Sequence, residues 1–214
     1  MTDRELPNTL EQRVSWVVAA PDQAELERRY DLWARRYDTD VGAAENYRAP
    51  IAAAEVAARY LDKSARILDA GAGTGLSGEA LNAAGFDNLV AVDLSAGMLE
   101  QAQRKGVYGE VHRMDLGSRI DFDDDRFDAV VTVGTTSQMP AASLREFVRV
   151  VRPGGRIVFT VWVEAYVERG YAAIQEEFEA EGRLAVVFKG EPFQALPTSE
   201  PHMYYEVWVF EVLA

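Results

Sequence analysis

From Arg66 onward the chain alternates between short β-prone runs and helical stretches. Arg66–Ala70, Leu89–Val92, Glu110–Met114, Phe127–Val133 and Arg156–Val163 predict five strands. Helices are expected between them, through Ala84, from Ser95 through Ala102, and from Ser143 to about Val151. Ser95 is placed to cap the second of these, and Ser143–Glu146 has the form of a capping box for the third. Strands separated by helical runs predict a mostly parallel, doubly wound sheet with right-handed crossovers. Beyond it, Ala165–Glu181 reads as one charged amphipathic helix, and Leu184–Lys189 and Tyr204–Val212 as two more strands. With no room for a helix between them, these form an antiparallel hairpin, for seven strands in all.

The first sixty residues follow a helical period instead. Leu26, Tyr30, Trp33 and Tyr37 form one stripe of a helix opened by Asp22 and Glu25, and Tyr47–Leu61 predicts an Ala-rich second helix. The fold expected is therefore α/β and Rossmann-like. Residues 1–62 form an N-terminal helical cap, and residues 63–214 the ligand-binding core.

Charge and composition narrow the function. With 22 Lys+Arg against 35 Asp+Glu, the net charge is −13, which disfavours nucleic acid and anionic membrane as partners. There is no Cys, and the only histidines are His112 and His202, so thiolate and His-rich metal sites are excluded and no metal is expected. The apolar stretch Val14–Ala20 follows Asp3, Glu5 and Glu11 rather than a basic flank, and no apolar run nears the roughly 20 residues that span a bilayer. The protein reads as cytoplasmic by default.

The chemistry is concentrated at strand ends. Leu68-Asp69-Ala70-Gly71-Ala72-Gly73-Thr74-Gly75 leaves the first strand and enters a helix. Such a turn lets a ligand lie against bare backbone, at the carboxyl edge where open α/β sheets bind ligands. Alternatively, the glycines only permit a tight turn. Asp93 ends the second strand 20 residues after Gly73, where a carboxylate accepts from ribose hydroxyls; the bland alternative is a helix cap. Asp115, after the third strand, is placed to accept from the exocyclic amine of adenine, with Met98 and Leu116 sandwiching the ring. A turn Asp and two core residues fit the same pattern.

The order of these motifs, with Val92-Asp93-Leu94-Ser95, Met114-Asp115-Leu116, Phe127–Val131 and Arg152-Pro153-Gly154-Gly155, resembles the class I S-adenosylmethionine-dependent methyltransferases. Tyr30–Asp38, Asp40-Val41 and Tyr47–Pro50 are similar to the N-terminal helices of the Williams–Beuren-region methyltransferase-like family. The resemblance implies S-adenosylmethionine as cofactor. Gly71, Ala72 and Gly73 would line its methionine portion, Asp93 and Leu94 the ribose, and Met98, Asp115 and Leu116 the adenine. Gly134 would lie beneath the sulfonium. Trp33 and Tyr37 would cover the cofactor, and Arg48 would pair with the methionine carboxylate. Thr135–Met139, His202, Tyr204 and Tyr205 are expected to face a small-molecule acceptor, with no catalytic residue assigned. A nicotinamide-dependent dehydrogenase uses a similar turn, but its third fingerprint glycine would fall at Leu76. A cofactor-binding module without turnover is the non-enzyme alternative.

Overall fold

A computed structural model describes residues 6–43, 46–199 and 202–214. The N-terminal region comprises α1 (Leu10–Val18), α2 (Gln23–Tyr37), a π-helical turn (Asp38–Ala43) and α3 (Ala49–Tyr60). Then come β1 (Ile67–Ala70), α4 (Leu76–Ala83), β2 (Leu89–Asp93), α5 (Ala96–Arg104), β3 (Glu110–Arg113) and β4 (Phe127–Thr132). The chain continues through α6 (Ser143–Val150), β5 (Val151–Trp162), α7 (Val163–Glu168), α8 (Tyr171–Ala180), β6 (Leu184–Lys189), β7 (Phe193–Gln194) and β8 (Tyr204–Val212).

Among the described residues the strands lie in the order β3-β2-β1-β4-β5-β8-β6, and the two-residue β7 pairs with β8. The first five strands are parallel; β8 runs antiparallel between β5 and β6. The predicted α/β sheet and its antiparallel C-terminal strands are thus both present, with β7 an added fragment. Strand order reverses between β1 and β4, and a doubly wound sheet opens its ligand crevice at that switch point.

Alternate side chains of β1 enter opposite layers. Leu68 joins Val130, Phe147, Phe159 and Tyr171 on the face of α6 and α8. Ile67 joins Val131, Val158 and Leu81 with Ala53 and Ala57 of α3 on the other. Helix α3, inside the segment expected to be a cap, therefore packs directly on the sheet.

Local details depart from expectation for identifiable reasons. The Ser143 capping box does not form: the Ser143 hydroxyl donates to Leu116 O at 2.5 Å, and Glu146 accepts from Ile120 N–H at 2.9 Å. Both side chains are recruited by the loop after β3. Asp22 does cap α2, accepting from Glu25 N–H at 2.9 Å, but Glu25 turns to Arg28 and Arg29 instead of back to the cap. The helix expected over Ala165–Glu181 breaks at Gly170 into α7 and α8. Pro153–Gly155 lies within β5 as a register irregularity opposite Phe127 and Ala129.

Candidate active site

The glycine turn after β1 is held by the strand beside it. Gly71 and Ala72 N–H groups donate to Val92 O at 2.8 and 3.0 Å. Gly73 N–H donates to Asp93 Oδ2 at 2.9 Å, and Ser95 N–H to Asp93 Oδ1 at 2.9 Å. Asp93 is therefore the pin that fastens the turn to the end of β2. Burial pushes its carboxyl above the ordinary range, against the lowering effect of the Ser95 and Gly73 amides. Gly71 adopts φ +78°, and a Cβ there would lie 2.5 Å from Thr135 Cγ2. Only glycine lets the β4 loop approach so closely.

Behind the turn, Asp69 is buried, and Oδ2 accepts from Ser77 and Tyr108 hydroxyls, each at 2.6 Å. Its Oδ1 has no partner among the described residues, and burial pushes the carboxyl up to about 6.

Two cavities adjoin at the carboxyl edge of the sheet. The smaller, about 80 Å³, brings together Gly71, Asp93, Leu94, Asp115, Leu116 and Thr135. Four predicted side chains from two separate strand ends thus face one space with the first glycine. Asp115 Oδ1 accepts from Gly117 N–H at 2.8 Å and from the Gln23 side-chain amide at 3.4 Å. Gln23, Leu26 and Tyr30 of α2 form the outer wall.

The larger cavity, about 250 Å³, is ringed by Tyr30, Trp33, Tyr37, Tyr47, Trp162 and Tyr205. Gly134, Ser137 and Gln138 form its floor. No Asp, Glu, Lys, Arg or His side chain lines it among the described residues. Trp33 is fixed by its indole N–H, which donates to Asp40 Oδ2 at 2.8 Å, and Tyr37 packs edge-on against it. Burial pushes the phenols of Tyr30, Tyr37 and Tyr47 well above the ordinary tyrosine range, so they are neutral hydroxyls near pH 7.

Helix α2 roofs both cavities because it has two usable faces. Its apolar stripe of Leu26, Tyr30, Trp33 and Tyr37 points at the cavities. A second stripe, Gln23, Glu27 and Asp31, docks it on the core: Gln23 to Asp115, Glu27 to Arg113, and Asp31 to Ser95. The Asp31 carboxylate accepts from Ser95 Oγ at 2.6 Å and Gly97 N–H at 2.8 Å, a favourable place for an anion at the N-terminus of α5. Beyond α2, Asp38 accepts from the Thr74 hydroxyl of the glycine turn and pairs with Lys105 at 2.8 Å.

Other expected residues stand elsewhere. Ala72 packs against Ala91 and Leu99, so only its backbone belongs to the turn. Met98 is buried and lines neither cavity, in keeping with its core alternative. Arg48 is exposed at the N-terminus of α3 and lines neither cavity. Thr136 turns inward to bond Thr160 O, whereas Thr135, Ser137, Gln138 and Met139 face the cavities. Tyr205 lines the larger cavity; His202 and Tyr204 are exposed and line neither. Trp162, Leu196 and Met203 are lining residues that no motif marked.

A methyltransferase-domain family model matches residues 67–155. Methyltransferase-like protein 27 of Homo sapiens is 41% identical over 154 residues, covering 69% of this chain and 62% of that protein. This bears out the likeness to the Williams–Beuren-region family. A demethylmenaquinone methyltransferase of Clavibacter sepedonicus is 43% identical over 115 residues, covering 50% of this chain and 46% of that protein. The chain thus spans less than two thirds of the length of these curated relatives. In fold it is similar to the TehB-like SAM-dependent methyltransferase of Corynebacterium glutamicum, with TM-score 0.64 and 21% identity over 86% of this chain and 98% of that one. Sheet order, glycine turn and family match agree, and the chain carries a methyltransferase domain over residues 67–155, built on the Rossmann-like fold of the S-adenosylmethionine-dependent methyltransferases.

Proposed function

We propose that the protein is an S-adenosylmethionine-dependent methyltransferase acting on an O, N or C atom of a small-molecule acceptor. The observation that carries this reading is the meeting of Asp93, Asp115 and Gly71 at one cavity of the sheet's switch point. Two carboxylates suit two donor groups of an adenosine, its ribose hydroxyls and its exocyclic amine, and the bare Gly71 leaves room beside them.

S-adenosylmethionine held there would supply a methyl group activated by its sulfonium, and the acceptor atom would give up a proton in exchange. Asp93 and Leu94 hold the ribose side, Asp115 and Leu116 the adenine side, and Gly71 with Gly73 the turn. Gly134 lines the larger cavity just past β4. Trp33 and Tyr37, expected over the cofactor, line the larger cavity and not the smaller one, and we assign the larger cavity to the acceptor. Holding two reactants in line is worth roughly 7–11 kcal/mol in well-oriented cases.

A cavity of about 80 Å³ is well below the usual 300–1,000 Å³ of ligand sites. Admission of a nucleoside therefore requires the cap, comprising α1, α2 and the turn after it, to lift or slide. Gln23 stands as a donor on Asp115, in the place an adenine amine would take. The closed cap then excludes water from the transfer.

The acidic chain, at net charge −13, favours a small acceptor over nucleic acid. No described helix is long and apolar enough to cross a membrane. The test is transfer of labelled methyl from S-adenosylmethionine to a panel of phenols, amines and carboxylic acids. Transfer to any of these supports the reading. Tight cofactor binding with no acceptor favours a binding module, and binding of NAD(H) or NADP(H) alone favours an oxidoreductase.

A further inference from the structure

The larger cavity has features that restrict its ligand more than its size does. Tyr37 and Tyr47 line it, yet neither hydroxyl has a hydrogen-bond partner among the described residues. A Cβ at Gly134 would lie 2.4 Å from the Tyr47 hydroxyl, so that hydroxyl stands against the backbone just past β4, inside the larger cavity. Donors that face a cavity without a protein partner reward a ligand that brings an acceptor oxygen.

We propose, taking the larger cavity as the acceptor chamber of the methyltransferase reading, that its ligand is an uncharged aromatic hydroxy compound of the phenol or naphthol class, seated among the tyrosine and tryptophan rings with its oxygen on Tyr37 and Tyr47.

Three arguments select this class. A chamber of about 250 Å³ suits one or two fused rings, and its walls offer aromatic faces for stacking and edge contacts. A carboxylate or phosphate ligand would be buried with no cation among the described lining residues. An ammonium ligand would find ring faces but no carboxylate among the described lining residues. Finally, the neutral tyrosines are hydrogen-bond donors, and a phenolic oxygen accepts from them while its ring packs on theirs.

The experiment is isothermal titration of the full chain with 2-naphthol and with 2-naphthoate, alongside S-adenosylhomocysteine. Saturable 2-naphthol binding is expected, with 2-naphthoate at least tenfold weaker. Tyr47→Phe is expected to weaken 2-naphthol by about three- to tenfold, the loss of a neutral hydrogen bond, while naphthalene is unaffected. Leu196→Trp, which fills the chamber, is expected to abolish 2-naphthol binding and spare S-adenosylhomocysteine. Equal binding of 2-naphthoate, an unchanged affinity in Tyr47→Phe, or no 2-naphthol binding beside intact S-adenosylhomocysteine binding would overturn the ligand class. Retained 2-naphthol binding with no affinity for S-adenosylhomocysteine would support the class and overturn the methyltransferase reading instead.

Discussion

The Tyr30 hydroxyl donates a hydrogen bond to Gln138 Oε1, joining α2 to the loop after β4 across 108 residues of chain. Both residues line both cavities, so this pair is the partition between them. Tyr30→Phe keeps the ring and removes the bond. The expected cost is about 1 kcal/mol, seen as a melting temperature roughly 2–4 °C lower in a chain of this length. An unchanged melting temperature would show that the partition contributes nothing to the closed cap.

Asp31 fastens the roof. In Asp31→Ala, the Ser95 hydroxyl and Gly97 N–H lose their shared carboxylate. Asp31 is exposed, so the loss is discounted to about 1 kcal/mol, or roughly fivefold in the opening equilibrium. Hydrogen exchange should accelerate by that factor across Gln23–Tyr37 while β1 amides keep their rates. Uniform acceleration over the whole domain would contradict a local latch.

Much of this architecture is legible along the chain. The switch from 3.6-residue to strand periodicity at Arg66, the glycine turn and Asp93 at a strand end are all local signals. The apolar stripe of α2 is equally plain. Its polar stripe carries no such signal, because Gln23, Glu27 and Asp31 find their partners 92, 86 and 64 residues away. Part of the chamber escapes for the same reason: Tyr205 is expected at the acceptor, but Trp162, Leu196 and Met203 join it only after the sheet closes. A motif also fixes backbone better than side-chain direction. Ala72 lies in the glycine turn yet faces Ala91 and Leu99.

Gly71 and Gly182 separate crowding from backbone strain. Both have positive φ, +78° and +71°, but a Cβ at Gly182 meets nothing within 4 Å. Gly182→Ala should incur only the left-handed penalty of about 1–2 kcal/mol. Gly71→Ala must also displace Thr135, so its melting temperature should fall further, and its affinity for S-adenosylhomocysteine should drop at least tenfold. Equal losses in the two variants would contradict the close approach.

Asp69 gives the fold a pH dependence of defined sign. Its folded pKa, about 6, lies above the ordinary 3.8, so the native state binds this proton more tightly than the unfolded chain. Its contribution to stability is therefore greatest below about pH 4 and is lost as pH rises through 6, by roughly 3 kcal/mol at most. Urea denaturation of wild type and Asp69→Asn should show the variant gaining relative stability between pH 4 and 7. Parallel curves would contradict the raised pKa.

Asp93 bears most directly on the account, because it pins the glycine turn and faces the smaller cavity at once. Since the charged carboxylate is the acceptor, cofactor affinity should also weaken as pH falls and Asp93 takes up its proton. The deciding measurement is calorimetric titration of S-adenosylhomocysteine into wild type and Asp93→Ala at pH 7.5. One saturable site in the wild type and affinity about a hundredfold lower in the folded variant, as for two charge-assisted hydrogen bonds, is the expected result. No binding to the wild type, or equal binding to both, would contradict it.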